Sequence, residues 1–242
     1  MAQPVTPYQD SKLNKKQQVA KMFNSIAWRY DFLNHFLSFG VDKYWRKKTV
    51  SSLVESKPQL ILDVATGTGD LAIASLKLKP LKIYGIDISA DMLNIGREKL
   101  RKKNLLNKIE LLESDSENLI FEDNKFDALT VGFGVRNFEN LEKGLSEMLR
   151  VLKPGAKAVI LEFSHPKSPI IRSLYSFYSS KICPWIGNMV SKDPVAYTYL
   201  NKSVAAFPEG ENFATILRKT GYKEVKIQPL TFGVVTIYTG IK

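Results

Sequence analysis

The residues best placed to do chemistry are Asp63-Val-Ala-Thr-Gly67-Thr-Gly69-Asp70, which directly follow the apolar segment Leu60 to Val64. Two glycines there let the backbone approach a ligand closely, because glycine has no Cβ and tolerates positive φ. Asp70 is expected to open the next helix as its N-cap. Asp87 stands 18 residues beyond Gly69 at the end of a second apolar segment. A carboxylate at that place can accept hydrogen bonds from both hydroxyls of a ribose, or it can cap the helix that starts at Ala90. After a third apolar segment, Ser114-Asp115-Ser116-Glu117 can hold an adenine amino group or form a surface turn. Together these positions suit an adenosine ligand. Ala72 completes a G-x-G-x-x-A pattern, so the glycines alone do not separate a nicotinamide dinucleotide from S-adenosylmethionine.

Such residues must be carried by strands that end along one edge. Leu60 to Ala65, Lys82 to Ile86, Ile109 to Leu112, Phe126 to Val131 and Ala158 to Phe163 read as buried strands. Between them Asp70 to Leu78, Ala90 to Lys103 and Leu141 to Leu152 carry apolar residues at helical spacing, and Pro154-Gly155 stops the last of these. This alternation predicts an α/β fold, a mostly parallel sheet with helices on both faces and its ligand edge at the strands' C-terminal ends. Lys223 to Gln228 and Val234 to Thr239 are expected to close the sheet as an antiparallel hairpin. Val19, Met22, Phe23 and Ile26 mark a helical N-terminal segment that turns at Phe39-Gly40. Residues 164–206, rich in aromatic and basic side chains (Tyr175, Phe177, Tyr178, Trp185, Tyr197, Tyr199), are expected to form helices over the ligand edge.

Composition narrows the classes. At 242 residues and 44% hydrophobic, the chain can bury one sizeable core with an insertion. No apolar run is long enough to span a membrane, and the Lys-rich N-terminus carries no export signal, so a cytoplasmic location is expected. A single cysteine, Cys183, excludes an internal disulfide framework or a cysteine-rich zinc site. The net charge of +11 is uneven: residues 1–58 carry +6 and residues 59–164 carry −1. The basic flanks can meet phospholipid headgroups or nucleic acid, or simply solvate helices.

Longer stretches are more specific. Asp63 through Leu71, the acid ending the second strand and Leu152-Lys-Pro-Gly155 resemble class I methyltransferases. Val19-Ala-Lys-Met-Phe23, Ile26-Ala-Trp-Arg-Tyr-Asp31, Leu37-Ser-Phe-Gly40, Gly132-Phe-Gly-Val-Arg-Asn137, Leu161-Glu-Phe-Ser164-His-Pro166, Asp193 through Leu200 and Leu230-Thr-Phe-Gly-Val-Val235 resemble the menaquinone/ubiquinone-biosynthesis C-methyltransferases. The likeness runs from about Val19 to the end of the chain. Thr66 departs from it, standing where many relatives have glycine, and Gly132 stands where some have serine.

The resemblance implies a Rossmann-like class I methyltransferase fold, with a helical N-terminal cap (1–58) on a methyltransferase domain (59–242) that carries a helical lid (164–206). It implies S-adenosyl-L-methionine as methyl donor and no metal, held by Thr68, Asp87, Asp115 and Ser116, to which the glycine run adds Asp63, Gly67 and Gly69. The implied reaction is C-methylation of the quinol ring of a polyprenylated demethylmenaquinol. The benzoquinol of ubiquinone biosynthesis and, from a different class, an RNA-binding or RNA-modifying protein are the rival readings; no aromatic RNA-stacking motif supports the latter. Arg136, in the loop after the fourth strand, is expected to stabilise a phenolate, or else to pair with a carboxylate. His165 and Tyr199 are candidates for the proton transfer, with Tyr30 and Asp31 behind them. Cys183 precedes Pro184 inside the insertion, which speaks against a nucleophile. Expected partners are the quinol and the inner face of the membrane, without nucleic acid; a homodimer stays open.

Overall fold

The computed structural model describes residues 5–8, 11–178 and 195–242. Cys183, Trp185 and Asp193 lie outside the described residues, as does the side chain of Tyr197. Asn14 starts the first helix, α1 (Lys15–Leu37), through a capping box with Gln17. Its buried residues Val19, Met22, Ile26 and Leu33 follow helical spacing. Phe39 and Gly40 both have positive φ and turn the chain into α2 (Val41–Ser51).

Strands and helices then alternate: β1 (Leu60–Val64), α3 (Asp70–Ser75), β2 (Lys82–Asp87), α4 (Ala90–Lys102), β3 (Ile109–Glu113), β4 (Phe126–Gly132), α5 (Leu141–Val151) and β5 (Leu152–Phe163). After β5 come α6 (Pro169–Phe177), α7 (Val195–Ala206), α8 (Glu211–Thr220), β6 (Lys223–Leu230) and β7 (Val235–Ile241). The seven strands form one sheet in the order β3-β2-β1-β4-β5-β7-β6. Neighbours from β3 to β5 are parallel, and β7 pairs antiparallel with both β5 and β6. The mostly parallel sheet and its antiparallel end match the expectation. Two apolar clusters fill the space on either side, one with Phe126, Leu145 and Tyr238, the other with Leu53, Ile83 and Leu161.

Some details differ from the sequence reading. The helix expected to run to Leu152 ends at Val151, and β5 begins at once, six residues earlier than the apolar run beginning at Ala158. Pro154 disfavours helical backbone at Lys153, and Gly155, at φ +78°, turns the chain so that its N–H reaches the Lys242 carbonyl. Asp70 is the first residue of α3 and Gly69 is its N-cap, leaving the Asp70 carboxylate for ion pairs. Strand order reverses between β1, with β2 and β3 on one side, and β4, with β5 on the other. That switch point is where the crevice forms.

Candidate functional site

The loop after β1 is shaped by positive φ at Ala65, Gly67 and Gly69. Beneath it, Asp63 is 1% exposed and accepts hydrogen bonds from Thr66 Oγ1 and Thr130 Oγ1, both at 2.6 Å. Burial outweighs these bonds and pushes the Asp63 carboxyl up to about 6. Asp63 therefore ties β1 to β4 below the loop and does not line the crevice. Asp87 does. Its two oxygens accept from Gly67 N–H at 2.8 Å and Ser89 N–H at 2.9 Å, which leaves further lone pairs facing the cavity. Ser89, not Asp87, caps α4 by accepting from Met92 N–H. Burial raises the Asp87 pKa as well.

The first cavity, of about 60 Å³, is lined by Gly67, Asp87, Asp115 and Ser116, with Ile88, Met92 and Phe138 as apolar walls. Ser114 Oγ and Asn137 Oδ1 at its edge are buried without a hydrogen-bond partner. Buried polar atoms left bare in this way fit a polar ligand that completes them. A carboxylate for two hydroxyls, apolar walls for a flat ring and spare acceptors for an amino group suit an adenosine. The start of α1 closes this cavity: Lys16 pairs with Asp115 at 2.5 Å and Glu117 at 3.3 Å, and Lys15 Nζ donates to the Phe138 carbonyl at 2.6 Å.

Thr68 is turned away from the cavity. Its hydroxyl donates to Asp31 of α1 at 2.5 Å and accepts from Lys99 of α4 at 2.9 Å. Lys99 also pairs with Asp31 and Asp70, and Arg46 of α2 pairs with Asp70 and Asp42. His35 lies between the same two carboxylates, 2.6 Å from Asp42 and 3.7 Å from Asp70. Although burial opposes it, Lys99 and Arg46 hold the Asp70 carboxyl below its ordinary range. This ionic cluster fastens α1 and α2 to the loop after β1.

A second cavity, of about 110 Å³, shares Phe23, Tyr30 and Phe133 with the first. Arg136 and Tyr199 both line it. Arg136 Nη1 donates to Glu162 Oε1 at 2.8 Å, and its guanidinium lies 5.4 Å from the centre of the Phe163 ring. Glu162 is completely buried. Arg136 Nε and Tyr199 Oη are both buried and have no hydrogen-bond partner. Burial pushes the Tyr199 hydroxyl up to about 12, so it stays an O–H donor at neutral pH. Burial also raises Tyr30, the wall between the two cavities.

A third cavity, of about 430 Å³, shares Leu37, Trp45, Phe163 and Leu200 with the second and is largely apolar. His165 lines it, with its Nδ1 3.2 Å from Glu209. The predicted residues thus fall into layers. Gly67, Asp87, Asp115 and Ser116 meet at the first cavity, Arg136 and Tyr199 at the second, His165 at the third, while Asp63, Thr68 and Gly69 support the loop from behind.

The ubiE/COQ5 methyltransferase family matches residues 11–242. The chain belongs to this family. Among curated relatives, a demethylmenaquinone methyltransferase of Bacteroides fragilis is 46% identical over 98% of this chain and 97% of its own. One of Porphyromonas gingivalis is 44% identical over 98% of both chains. A ubiquinone/menaquinone biosynthesis C-methyltransferase UbiE of Geobacter sulfurreducens is 44% identical over 94% of this chain and 90% of its own. Solved structures share the fold at lower identity. A SAM-dependent methyltransferase of Thermotoga maritima, 18% identical, superposes with a TM-score of 0.64 over 92% of this chain and 98% of its own. Another from Aquifex aeolicus, 22% identical, gives 0.55 over 76% and 81%. The class I methyltransferase fold is therefore the observed one.

Sequence reasoning missed Glu162, Lys16, Asp42, Arg46 and Lys99. Glu162 carried a usable signal, a charged residue inside the apolar run Ala158 to Phe163, where an unpaired carboxylate would be costly. Asp42 and Arg46 stand at i, i+4 spacing on one helix, which marks an ion pair but not its link to Asp70; Lys16 and Lys99 pair across distant parts of the chain, where no local spacing marks them.

Proposed function

We propose that this protein transfers the methyl group of S-adenosylmethionine to a ring carbon of a polyprenylated demethylmenaquinol, giving menaquinol. The observation that carries the proposal is the succession of three cavities with shared walls, which could take donor, quinol ring and tail in a line. When bound, S-adenosylmethionine supplies an electrophilic methyl carbon on a positively charged sulfur. Asp87 would hold its ribose, Asp115 and Ser116 its adenine, and Gly67 lets the backbone come close. Thr68, Asp63 and Gly69 fix the loop that does this.

In the second cavity Arg136 Nε–H and the Tyr199 hydroxyl would donate to one quinol oxygen. A free phenol has a pKa near about 10, so two donors and a guanidinium favour loss of its proton. The oxyanion pushes density onto the adjacent ring carbon. That carbon would take the methyl as its bond to the donor sulfur breaks, and loss of the ring proton would restore aromaticity. His165, paired with Glu209 at the third cavity, would accept the proton lost by the quinol oxygen, and the proton released from the ring carbon then restores that O–H, leaving a net release of a proton per methyl transferred. Glu162 keeps Arg136 in place, and the apolar walls keep bulk water from the reacting atoms.

The tail would occupy the third cavity. The described residues of the N-terminal segment act as a cap and α6 and α7 as a lid, and the excess positive charge of residues 1–58 would hold the protein against the anionic inner face of the membrane. None of the described helices is long and apolar enough to cross a membrane.

The test incubates purified protein with labelled S-adenosylmethionine and either reduced demethylmenaquinone or the benzoquinol analogue, with Asp87→Ala as control. Methylated naphthoquinol, lost in the variant, is the expected result. Methylation of the benzoquinol alone would move the substrate to the ubiquinone pathway. Transfer to neither, with the donor still bound, would overturn the quinol reading.

A further inference from the structure

The third cavity is framed by the end of α1 and by α6, and both expose apolar side chains beside it. On α1, Trp28, Phe32 and Phe36 recur every fourth residue, away from the face that carries Met22 and Ile26, and are 53%, 59% and 50% exposed. On α6, Leu174 and Phe177 share one face and are 67% and 60% exposed; none of the helix's residues is buried. The two helices are tied together at the rim. Tyr178 donates its hydroxyl hydrogen bond to the Leu37 carbonyl at 2.7 Å and packs on Phe39 with ring centres 5.9 Å apart. Leu37, Phe39, Tyr175 and Tyr178 also line the cavity, so its apolar lining runs without a break onto the exposed rim.

Cations fringe this surface. The Arg29 guanidinium lies 3.8 Å from the centre of the Trp28 ring, and Lys43, Lys47 and Lys48 are exposed on α2. Lys167 and Arg172 are exposed at the start of α6. Exposed aromatic rings bordered by Lys and Arg, on a chain whose first 58 residues carry +6, complement an anionic lipid surface in both polarity and charge. A second copy of the chain seated here would instead cover the cavity and shut out its ligand.

We propose that this rim inserts into the interfacial layer of an anionic bilayer, so that the third cavity opens onto the membrane interior and takes its ligand from there. The proposal rests on the quinol reading for the ligand, since a polyprenyl tail resides in lipid, but the lipid contact itself can be measured separately. Trp28 would sit at headgroup depth, its ring apolar and its indole N–H wet.

Flotation with vesicles of phosphatidylglycerol and phosphatidylcholine tests the contact, using wild type and the variant Phe32→Ser/Phe36→Ser/Leu174→Ser/Phe177→Ser. Methyl transfer is measured in parallel on tailed demethylmenaquinol in the vesicles and on a tail-less naphthoquinol in solution. The variant is expected to lose flotation and vesicle-borne turnover by about tenfold or more while turning over the tail-less quinol as wild type does. As a second readout on the unaltered chain, brominated lipid should quench tryptophan fluorescence, and Trp28→Phe should reduce that quenching. Equal flotation and equal vesicle turnover in both proteins would overturn the proposal. So would a wild-type dimer that the substitutions dissociate, with no flotation of either, because the rim would then join two copies. If flotation falls in the variant but neither protein methylates either quinol, the lipid contact stands and the quinol reading fails.

Discussion

Asp63 and Asp87 lie near the C-terminal ends of neighbouring strands, and burial raises both carboxyls, yet only Asp87 faces the first cavity. Asp63 lies under the loop and has a measurable consequence for stability. Its folded pKa of about 6 lies above the ordinary 3.8, so the folded state binds the proton more tightly than the unfolded chain. That stabilisation is full below the unfolded value and is lost as pH rises through the folded one, an effect of roughly 2–3 kcal/mol. Urea unfolding of wild type is therefore expected to show stability falling across that window, and Asp63→Asn should flatten the slope. An unchanged slope in the variant would place its origin elsewhere. Arg136 leads to two further expectations. Glu162→Gln should destabilise the fold by roughly 3–5 kcal/mol, since it strands a buried guanidinium. Arg136→Lys keeps the charge but loses the Nε–H donor, and kcat should fall by about a hundredfold with KM little changed. A large rise in KM at unchanged kcat would mean that Arg136 only binds the ring. Asp87 was legible in the sequence because an acid ending a second strand follows local spacing. The orientation of Thr68 was not, because its partners Asp31 and Lys99 come from helices that only the folded chain brings together.

The elements that carry these residues were largely legible. Buried parallel strands are continuous apolar runs, and the helices between them show their own period. The onset of β5 was hidden, since Lys153, Pro154 and Gly155 look like a loop and are held in the strand by the sheet and by Lys242. More consequential is the packing of α1 across the ends of the strands. Lys16 is partly exposed in its pairs with Asp115 and Glu117. Lys16→Ala should therefore change unfolding free energy by less than about 1 kcal/mol. Donor release, followed by stopped-flow fluorescence, should nevertheless quicken, because that end of α1 closes the first cavity. Unchanged release would show that the donor leaves by another route. The loop after β4 is packed tightly against the loop after β1: a Cβ on Gly134 would stand 2.5 Å from Ala65 Cβ. Gly134→Ala should separate the two loops, cost about 1–3 kcal/mol and weaken donor binding. Calorimetry that found the donor bound as tightly as in wild type would contradict that coupling.

At the scale of the whole molecule, one sheet edge, two N-terminal helices and the helices after β5 enclose three cavities that follow one another from Asp87 to Tyr178. Composition hinted at this only through charge: a near-neutral middle of the chain flanked by basic segments. The continuity of the cavities depends on Tyr30, Phe133, Trp45 and Phe163, whose shared walls no linear pattern displays. Such an enclosure directs a methyl group onto a ring carbon of a reduced quinol. The most direct measurement uses S-adenosylmethionine labelled with carbon-13 in its methyl group, and follows the product by NMR with demethylmenaquinone supplied either reduced or oxidised. The expected result is a methyl signal attached to a ring carbon, formed from the quinol and absent with the quinone. A methoxy signal, or equal transfer to the oxidised ring, would contradict it.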